Sequence, residues 1–340
     1  MIVVTGGTGY IGSHTVVELI NNGYEVVILD NLSNSQLTVL DAIEDITGKR
    51  PEFFKIDIED AAQASKIFKQ IGEKADSIIH FAAKKAVGES VQEPLLYYRN
   101  NLVSLINILD QMRTYQIKNL VFSSSCTVYG QPDCSPVTEL TERKEAESPY
   151  GNTKTICEDI IRDTAKVASL SAISLRYFNP IGAHESAKIG ELPVGIPNNL
   201  VPYVTQTAAG LRERLTIFGD DYPTPDGTCI RDYIHVVDLA KAHLQALKRL
   251  EQGHANSKYE VFNVGTGNGK SVLEVIETFE KATGVKVPYQ VGPRRSGDIT
   301  AIYADTTYAN QELNWKSELS LEDALRSSWN WEKNYRSQQA

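Results

Sequence analysis

The sequence has few of the residues that build disulfide frameworks or metal sites. Its 340 residues include four cysteines and six histidines. The cysteines show no paired metal-ligand spacing, and so few thiols in so long a chain do not form a disulfide framework. The histidines show neither an HExxH motif nor a close grouping with cysteine. We therefore expect no metal, and reduced thiols at Cys126, Cys134, Cys157 and Cys229.

An excess of positive charge and long apolar runs are also missing. Lys and Arg number 34 against 43 Asp and Glu, a net charge of -9, and no basic run is available for nucleic acid or an anionic membrane. No apolar run reaches the roughly 18 residues that span a bilayer. Residues 1–7 are typical of a buried strand and turn rather than of a secretory leader. We expect a cytoplasmic protein that binds neither nucleic acid nor membrane.

The sequence does contain a regular alternation of short apolar runs and helix-like stretches. Strand-like runs occur at 2–5, 25–30, 53–56, 77–81, 119–122 and 172–175. Helical spacing of apolar residues occurs between them at 13–22, 61–71, 92–113 and 150–166. This alternation predicts an α/β fold with a Rossmann-like, doubly wound parallel sheet covered on both faces.

The composition changes from about Asn179, where proline and glycine become frequent. Loops and short elements of this kind predict a smaller α/β C-terminal lobe at 180–340, added to a sheet domain at 1–179. Helical spacing at 236–249 and 271–283 and a strand-like run at 260–264 interrupt this stretch. We expect segments around 236–264 to return to the first domain.

A glycine-rich loop, Gly6-Gly7-Thr8-Gly9-Tyr10-Ile11-Gly12, follows the first predicted strand and opens the first helix. In this context glycines let the backbone turn tightly and approach a pyrophosphate at the helix N-terminus. A tight structural turn is the alternative. Asp30 ends the second predicted strand, where its carboxylate can accept both adenosine ribose hydroxyls but would repel a 2′-phosphate. The pair of features predicts NAD rather than NADP.

Two further segments follow predicted strands at the same edge of the sheet. Asp57 ends the third apolar run, where its side chain can reach an adenine amino group or, equally well, cap the next helix. Phe81-Ala82-Ala83-Lys84-Lys85 follows the fourth strand, where the small alanines permit close approach of a cofactor. Plain loop packing explains these five residues as well.

Tyr150 and Lys154 stand one helical turn apart after the helix-start signal Ser148-Pro149. An ammonium near the phenol oxygen favours the phenolate, and a Tyr that otherwise titrates near ~10 can then act as a general base. The alternative is a surface Tyr beside a solvated Lys. Ser123-Ser124-Ser125 follows the fifth strand, where a hydroxyl can bond to the substrate oxygen that Tyr150 deprotonates, or can simply form a turn.

Together, the glycine loop, the serine segment and the Tyr-x-x-x-Lys pair resemble the extended short-chain dehydrogenase/reductase superfamily. Within it, the chain is similar to the UDP-glucose 4-epimerase family over nearly its whole length. The second-half motifs are more specific than the glycine loop. The segments that carry this closer resemblance are 10–15, 86–91, 176–184, 195–200, 231–236 and 293–298.

The resemblance implies that Tyr150 is the base, that Lys154 lowers its pKa and holds the nicotinamide ribose, and that Ser125 aligns the sugar 4-hydroxyl. It implies that 1–179 is an NAD-binding domain and 180–340 a UDP-sugar-binding domain. The implied NAD contacts are Gly6, Gly9, Tyr10, Ile11, Gly12, Asp30, Asn31, Leu32, Ser33, Asn34, Ser35, Asp57, Ile58, Phe81, Ala82, Ala83, Lys84, Lys85, Asn100, Ser125, Tyr150, Lys154 and Phe178. The implied UDP-sugar contacts are Ser125, Tyr150, Asn179, Asn199, Leu200, Thr216, Ile217, Phe218, Arg231, Arg295, Asp298 and Ile302.

Two of these positions also have a physical interpretation of their own. Arg231 and Arg295 suit a diphosphate because guanidinium forks match its oxygens, although ion pairing with Asp232 or Asp298 is the alternative. Family members restricted to unmodified hexoses resemble one another in placing a bulky Tyr where this chain has Ile302, and members that accept N-acetylated sugars place a small residue. Ile302 leaves acceptance of N-acetylated sugars open, and core packing is its other interpretation.

The resemblance implies an NAD-dependent isomerase of galactose metabolism that interconverts UDP-glucose and UDP-galactose. The route is oxidation to a 4-keto sugar, rotation of the ring and re-reduction, with NAD bound throughout. The resemblance also implies a homodimer joined through helices near 92–113 and 150–166, although the apolar spacing of these helices equally fits internal packing. One alternative is a nucleotide-sugar 4,6-dehydratase, but its relatives carry an Asp-Glu pair where this chain has Cys126 and Thr127. A non-catalytic NAD-sensing regulator is the other alternative, and it could dispense with Tyr150 and Lys154.

Overall fold

A computed structural model describes residues 1–295 and 298–339. Ser296 and Gly297, which belong to the 293–298 motif, lie outside the described residues. The strands are β1 (Ile2–Thr5), β2 (Val26–Asp30), β3 (Glu52–Lys55), β4 (Ser77–His80), β5 (Asn119–Ser125), β6 (Ser171–Tyr177), β7 (Asn179–Ile181), β8 (Leu215–Phe218), β9 (Ile230–His235), β10 (Tyr259–Val264), β11 (Gly269–Ser271), β12 (Tyr289–Gly292) and β13 (Ala301–Ile302).

The helices connect these strands and cover them. They are α1 (Tyr10–Asn21), α2 (Thr38–Thr47), α3 (Ala61–Ile71), α4 (Val87–Gln92), α5 (Pro94–Tyr115), α6 (Pro149–Val167), α7 (Leu200–Ala208), α8 (Val236–Glu251), α9 (Val272–Thr283), α10 (Thr307–Glu312) and α11 (Leu321–Ser337). Short 3₁₀ turns follow α3 at Gly72–Lys74 and β5 at Cys126–Tyr129. No helix within residues 1–295 and 298–339 combines the length and the apolar character needed to cross a membrane.

The main sheet contains seven parallel strands among the described residues, in the order β10-β6-β5-β4-β1-β2-β3. The predicted Rossmann-like fold is therefore confirmed. The strand order reverses between β1 and β4. Ile2 of β1 pairs with Val26 of β2 on one side and with Ser77 of β4 on the other. In such sheets ligands bind outside the carboxyl ends of the strands at this reversal. The glycine loop after β1 and the loop after β4 lie at that point.

Alternate residues of the strands face two separate hydrophobic cores. Val4 and Ile28 belong to the core that α1 and α8 cover, which includes Val16 and Leu239. Their neighbours Val3, Val27 and Leu29 belong to the opposite core, beneath α3, α5 and α6. Because both faces are buried, β1 and β2 are nearly continuous apolar runs rather than alternating ones, as is typical of parallel sheets.

The second half of the chain builds smaller sheets and a third core. β9 pairs with β7, β11 and β13, and β8 pairs with β12. Helices α7, α9 and α11 contribute to the core next to these strands, which includes Val204, Phe279 and Leu325. In contrast, α8 packs on α1, and β10 pairs with β6 at the edge of the main sheet. A domain boundary after residue 179 stays a prediction.

Candidate active site

The Tyr150–Lys154 pair lies at the start of α6, against the end of β5. The helix begins as the sequence predicts, because the Ser148 hydroxyl accepts a hydrogen bond from the Gly151 amide at 3.2 Å and Pro149 occupies the first turn. Tyr150 is 8 % exposed and Lys154 only 3 %. The alternative of a surface Tyr beside a solvated Lys is therefore wrong.

Lys154 is held by the backbone of β5. Its Nζ donates to the Ser123 carbonyl at 2.7 Å, and lies 4.9 Å from the centre of the Phe122 ring and 5.8 Å from the centre of the Tyr150 ring. Burial lowers the pKa of Lys154 to about 8, while nearby Cys157 and Glu158 raise it. The ammonium is thus close to its titration point at neutral to mildly alkaline pH.

Tyr150 differs from the expectation. Burial raises the pKa of its phenol above the usual value, the nearby Tyr177 raises it further, and hydrogen bonding with Ser125 lowers it. The prediction that Lys154 lowers this pKa is not met by the protein alone. The physical reason is that desolvation opposes the phenolate, and the ammonium donates to the Ser123 carbonyl on β5.

Ser125 forms the turn that the sequence offered as one of its two roles, and its contact with the substrate oxygen stays a prediction. It is the last residue of β5 and is buried beside Tyr150. Its hydroxyl also accepts a hydrogen bond from the Thr127 amide at 3.2 Å, which starts the 3₁₀ turn Cys126–Tyr129. The turn therefore fixes the serine at the carboxyl edge of the sheet.

The glycine loop brings three segments as close together as backbones allow. A Cβ at Gly12 would lie 2.2 Å from the Gly6 carbonyl oxygen, and a Cβ at Gly6, where φ is +70°, would lie 2.8 Å from the Ala82 nitrogen. Gly9 begins α1 without a side-chain cap. The amides of the first turn are therefore free of a capping side chain and, with the helix dipole, suit a diphosphate.

Asp30 organises the loop after β2, which contains Asn31, Leu32, Ser33, Asn34 and Ser35. Its carboxylate accepts hydrogen bonds from the Leu32 amide at 2.9 Å and the Thr8 amide at 3.2 Å. These contacts link the acidic residue directly to the glycine loop, where an adenosine ribose would need it.

Asp57 lies next to this loop. Its carboxylate accepts from the Glu59 amide at 2.9 Å and from Asn31 Nδ2 at 3.1 Å. The cap of α3 is Asp60, which accepts from the Ala62 and Gln63 amides, so the alternative in which Asp57 caps this helix is wrong. Ile58 is buried in the core beneath α5.

The loop after β4 is fixed to α5 and α6. The Lys84 amide donates to the side-chain oxygens of Asn100 at 3.2 Å and Asn101 at 2.8 Å. Asn101 in turn donates to Thr153 Oγ1 at 3.0 Å, next to Lys154. The position of the segment that includes Phe81, Ala82 and Ala83 is thus coupled to that of the Tyr150–Lys154 pair.

A second group of predicted residues meets around Asp298. Arg295 Nη2 donates to its carboxylate at 2.7 Å, and Arg231 Nη2 lies 3.8 Å away. The Arg295 guanidinium lies 5.6 Å from the centre of the Phe218 ring. Asp232 instead accepts hydrogen bonds from backbone amides, including that of Thr266 at 2.8 Å. Of the two alternative ion pairings, the one with Asp298 is present and the one with Asp232 is wrong.

Other predicted contacts lie on the surrounding elements. On β8 the exposed Phe218 and half-buried Thr216 alternate with Ile217, whose side chain is buried in the third core. Asn179 opens β7 and Leu200 opens α7. Phe178 and Ile302 are buried together with Cys126, next to Ser125. The interpretation of Ile302 as a core residue is therefore confirmed.

Sequence reasoning missed several residues that complete these groups. Glu191 accepts from Asn199 Nδ2 at 2.7 Å and from Lys85 Nζ at 3.3 Å, and so joins a predicted substrate residue to a predicted cofactor residue. Tyr177 bonds to the Ser123 hydroxyl and lies within a motif that the sequence identified. Glu158, four residues after Lys154, repeats the spacing that revealed the Tyr–Lys pair.

Comparison with known proteins identifies the family of the chain. The family described as GDP-mannose 4,6 dehydratase matches residues 3–328. UDP-glucose 4-epimerase of Haemophilus influenzae is 51 % identical over 98 % of this chain and 97 % of its own length. A Stenotrophomonas maltophila UDP-glucose 4-epimerase, crystallised with NAD and formylated UDP-arabinopyranose, superposes with a TM-score of 0.95 at 46 % identity and covers 100 % and 99 % of the two chains.

The corresponding enzyme of Bifidobacterium longum, in complex with NAD+ and UDP, gives a TM-score of 0.93 at 47 % identity over 98 % of both chains. The sequence comparison and the structure comparison thus point to the same family over nearly the whole chain. The chain belongs to the UDP-glucose 4-epimerase family of the extended short-chain dehydrogenase/reductase superfamily.

Proposed function

We propose that this protein interconverts UDP-glucose and UDP-galactose by inverting C4 of the sugar. The observation that carries the proposal is the burial of Tyr150 beside Ser125 and of Lys154 beside Ser123, at the carboxyl edge of a sheet whose glycine loop suits a dinucleotide. The identity of about half the residues with named epimerases supports it.

The residues at the reversal of the strand order fit NAD. Gly6, Gly9 and Gly12 would admit the pyrophosphate, Asp30 would accept the adenosine ribose, and Lys154 would reach the other ribose. When bound, NAD supplies a positively charged nicotinamide ring that accepts a hydride from C4 of the sugar and later returns it.

Tyr150 takes the proton of the sugar 4-hydroxyl and later returns it. Because burial raises the pKa of this phenol, positive charge beside it is required for the phenolate, and Lys154 is the cation that the chain supplies. Ser125 hydrogen-bonds to the same sugar oxygen and holds it within reach. Oxidation gives a 4-keto sugar, and inversion follows if the ring turns before reduction.

Arg231 and Arg295 hold the diphosphate while the sugar turns. Both guanidinium groups already converge on the carboxylate of Asp298, which is largely shielded from solvent. A diphosphate offers them bidentate acceptors with more charge than one carboxylate, so it would compete well for these groups. A firm grip on UDP and a loose grip on the sugar are what ring rotation needs.

Dehydration at C6 is disfavoured by the residues that follow Ser125. Burial raises the pKa of the Cys126 thiol to about 12, so it is a poor proton donor or acceptor at neutral pH. Thr127 Oγ1 is buried without a hydrogen-bond partner in the part of the chain that the structure describes. An elimination needs an acid and a base beside that carbon, and a thiol and a hydroxyl of this kind are inefficient.

The proposal is tested by incubating the purified protein with UDP-galactose and no added cofactor. UDP-glucose should appear until equilibrium is reached, since the hydride that is removed is also returned. Nucleotide sugars are separated by ion-exchange chromatography, and heat-denatured protein is the control. Formation of a 4-keto-6-deoxy sugar, or consumption of added NAD in proportion to product, would contradict the proposal.

We also propose a homodimer formed through α5 and α6. The two helices are joined by a hydrogen bond of 2.7 Å from Asn152 Nδ2 to the Tyr98 hydroxyl, and α5 exposes Leu95 (74 %) and Ile106 (43 %). Exposed apolar groups on one face are typical of an interface. Light scattering should give twice the mass of one chain, and Ile106→Lys should give the monomer mass. The control Leu140→Lys changes an exposed leucine outside these helices and should remain dimeric.

Two coarser assignments complete the proposal. We place the protein in the cytoplasm, which is supported by four cysteines that are all free. We assign 1–179, together with α8 and β10, to NAD binding and the rest of 180–340 to UDP-sugar binding. The packing of α8 and β10 against the main sheet supports this division.

A further inference from the structure

Glu158 lies on the same face of α6 as Tyr150 and Lys154, one further turn along the helix. It is 1 % exposed. A carboxylate is almost never buried to this degree unless several partners compensate its charge. The partners of Glu158 are therefore informative about its role.

These partners belong to the two strands beside α6. Glu158 Oε1 accepts from the Ser124 hydroxyl at 2.6 Å and from Arg176 Nε at 2.9 Å. Its Oε2 accepts from Arg176 Nη2 at 2.6 Å and from Arg143 Nη1 at 3.4 Å. One buried carboxylate thus joins α6 to Ser124 on β5, the residue directly before Ser125, and to β6.

The same network fixes the chain that follows Ser125. Arg176 Nη1 donates to the Tyr129 hydroxyl at 3.0 Å, and that hydroxyl donates to Asn263 Oδ1 at 2.6 Å. Tyr129 ends the 3₁₀ turn that begins after Ser125. Glu158 therefore holds the chain on both sides of Ser125: directly through Ser124, and through Arg176 to Tyr129.

Glu158 also brings charge to Lys154. Burial raises the pKa of Cys157 to about 12, so this neighbour is a neutral thiol near pH 7. Burial and Lys154 together lower the pKa of His80 to about 3, so the imidazole is neutral as well. The Ser123 carbonyl is the hydrogen-bond acceptor of Lys154. The titratable groups that face Lys154 or its immediate partners are Tyr150, Cys157 and Glu158 on α6, His80 on β4 and Tyr177 on β6. Among them, Glu158 carries the negative charge.

We propose that Glu158 is a positioning residue for epimerisation, which joins the strand that carries Ser125 to the helix that carries Tyr150 and keeps Lys154 an ammonium. The inference rests on the proposed function. It assigns two effects to one side chain: a geometric effect through Ser124 and an electrostatic effect on Lys154. The two effects separate experimentally.

Glu158→Gln tests the electrostatic effect. Glutamine has nearly the same shape, but removal of the negative charge should lower the Lys154 pKa by about one unit. The alkaline limb of the kcat–pH profile should then move by about one unit to lower pH, with KM unchanged because Glu158 does not reach the UDP-sugar site. Glu158→Asp keeps the charge, so its limb should stay in place while kcat falls. An unmoved limb in folded Glu158→Gln overturns this effect.

Ser124→Ala tests the geometric effect in a variant that keeps every charge. The substitution removes the hydrogen bond from Ser124 to Glu158 that positions the neighbouring Ser125. It should lower kcat roughly tenfold without moving the alkaline limb of the kcat–pH profile. The control is Ser174→Ala, which removes a buried hydroxyl from the neighbouring strand β6 and should leave kcat unchanged. Wild-type kcat in Ser124→Ala overturns the positioning role, and this result stands even if Glu158→Gln fails to fold.

A measurement without turnover distinguishes this inference from the proposed function. In protein labelled with [13C]lysine, the Cε shift of Lys154, assigned from Lys154→Arg, reports its titration directly. A lower midpoint in Glu158→Gln supports the inference even if the wild type does not epimerise, in which case the proposed function fails alone. If the wild type epimerises but its Lys154 midpoint equals that of Glu158→Gln, the electrostatic effect is overturned and the proposed function stands.

Discussion

Replacement of Tyr150 by Phe should lower kcat for epimerisation about a thousandfold, a typical contribution of a positioned general base. The substitution removes one oxygen and keeps the ring, which is buried between the end of β5 and α6. Binding of UDP-sugar and NAD should change little, since their phosphate and ribose contacts are made by other residues. The effect should therefore appear in kcat and leave KM nearly unchanged.

The measurement is the initial rate of conversion of UDP-galactose, together with the NAD content of each purified variant. Tyr24→Phe is a matched control, because it removes a phenol that donates to Glu251 at 2.8 Å far along the chain from the serine segment. That variant should keep wild-type kcat. If Tyr150→Phe retains more than about a tenth of the wild-type rate, the phenol is not the base.

The main sheet could be predicted from the sequence because its signals are local. A strand buried on both faces is an apolar run whatever its neighbours are, and β1, β2 and β4 begin or end within one residue of the predicted runs. The glycine loop and the Ser148-Pro149 signal marked the starts of α1 and α6 for similar local reasons.

The helices that the sequence analysis missed depend on distant partners. α11 begins with a capping box between Ser320 and Asp323, which is a readable signal, but few of its residues are apolar. Its packing depends on groups far along the chain, such as the Phe279 ring, whose centre lies 5.9 Å from that of Trp329. α2 is short and has no side-chain cap, so only its two buried residues, Leu40 and Ile43, indicate it.

The same distinction explains the site. Tyr150 and Lys154 are visible from spacing because both lie on one helix. The partner of Lys154 is a backbone carbonyl, and Asn199 and Lys85 share Glu191 as their partner, so no spacing rule reveals these contacts. The pKa of Tyr150 depends on burial, which only the assembled strands and helices define. The residues that carry the reaction can be predicted from one segment, whereas their pKa values depend on everything packed around them.

Gly12→Ala should weaken the binding of NAD and lower the NAD content of the purified protein. The new Cβ would lie 2.2 Å from the Gly6 carbonyl oxygen and 2.9 Å from the Gly7 Cα, and neither backbone atom can rotate away. α1 must therefore move outward, which separates its first-turn amides from the loop that would hold the diphosphate. NAD should bind at least tenfold more weakly, about 1.4 kcal/mol, and the unfolding temperature should fall.

The sign of the stability change makes the test of Gly12→Ala decisive. In an open helix, alanine is more stable than glycine by about 1 kcal/mol, so destabilisation reports the steric clash rather than helix propensity. Gly88→Ala in α4 is the matched control, because its Cβ would meet nothing within 4 Å. It should keep NAD and unfold at the same or a higher temperature. NAD content is read by chromatography of the released nucleotide and stability by thermal unfolding. A Gly12→Ala protein that keeps both would show that α1 does not form the diphosphate site.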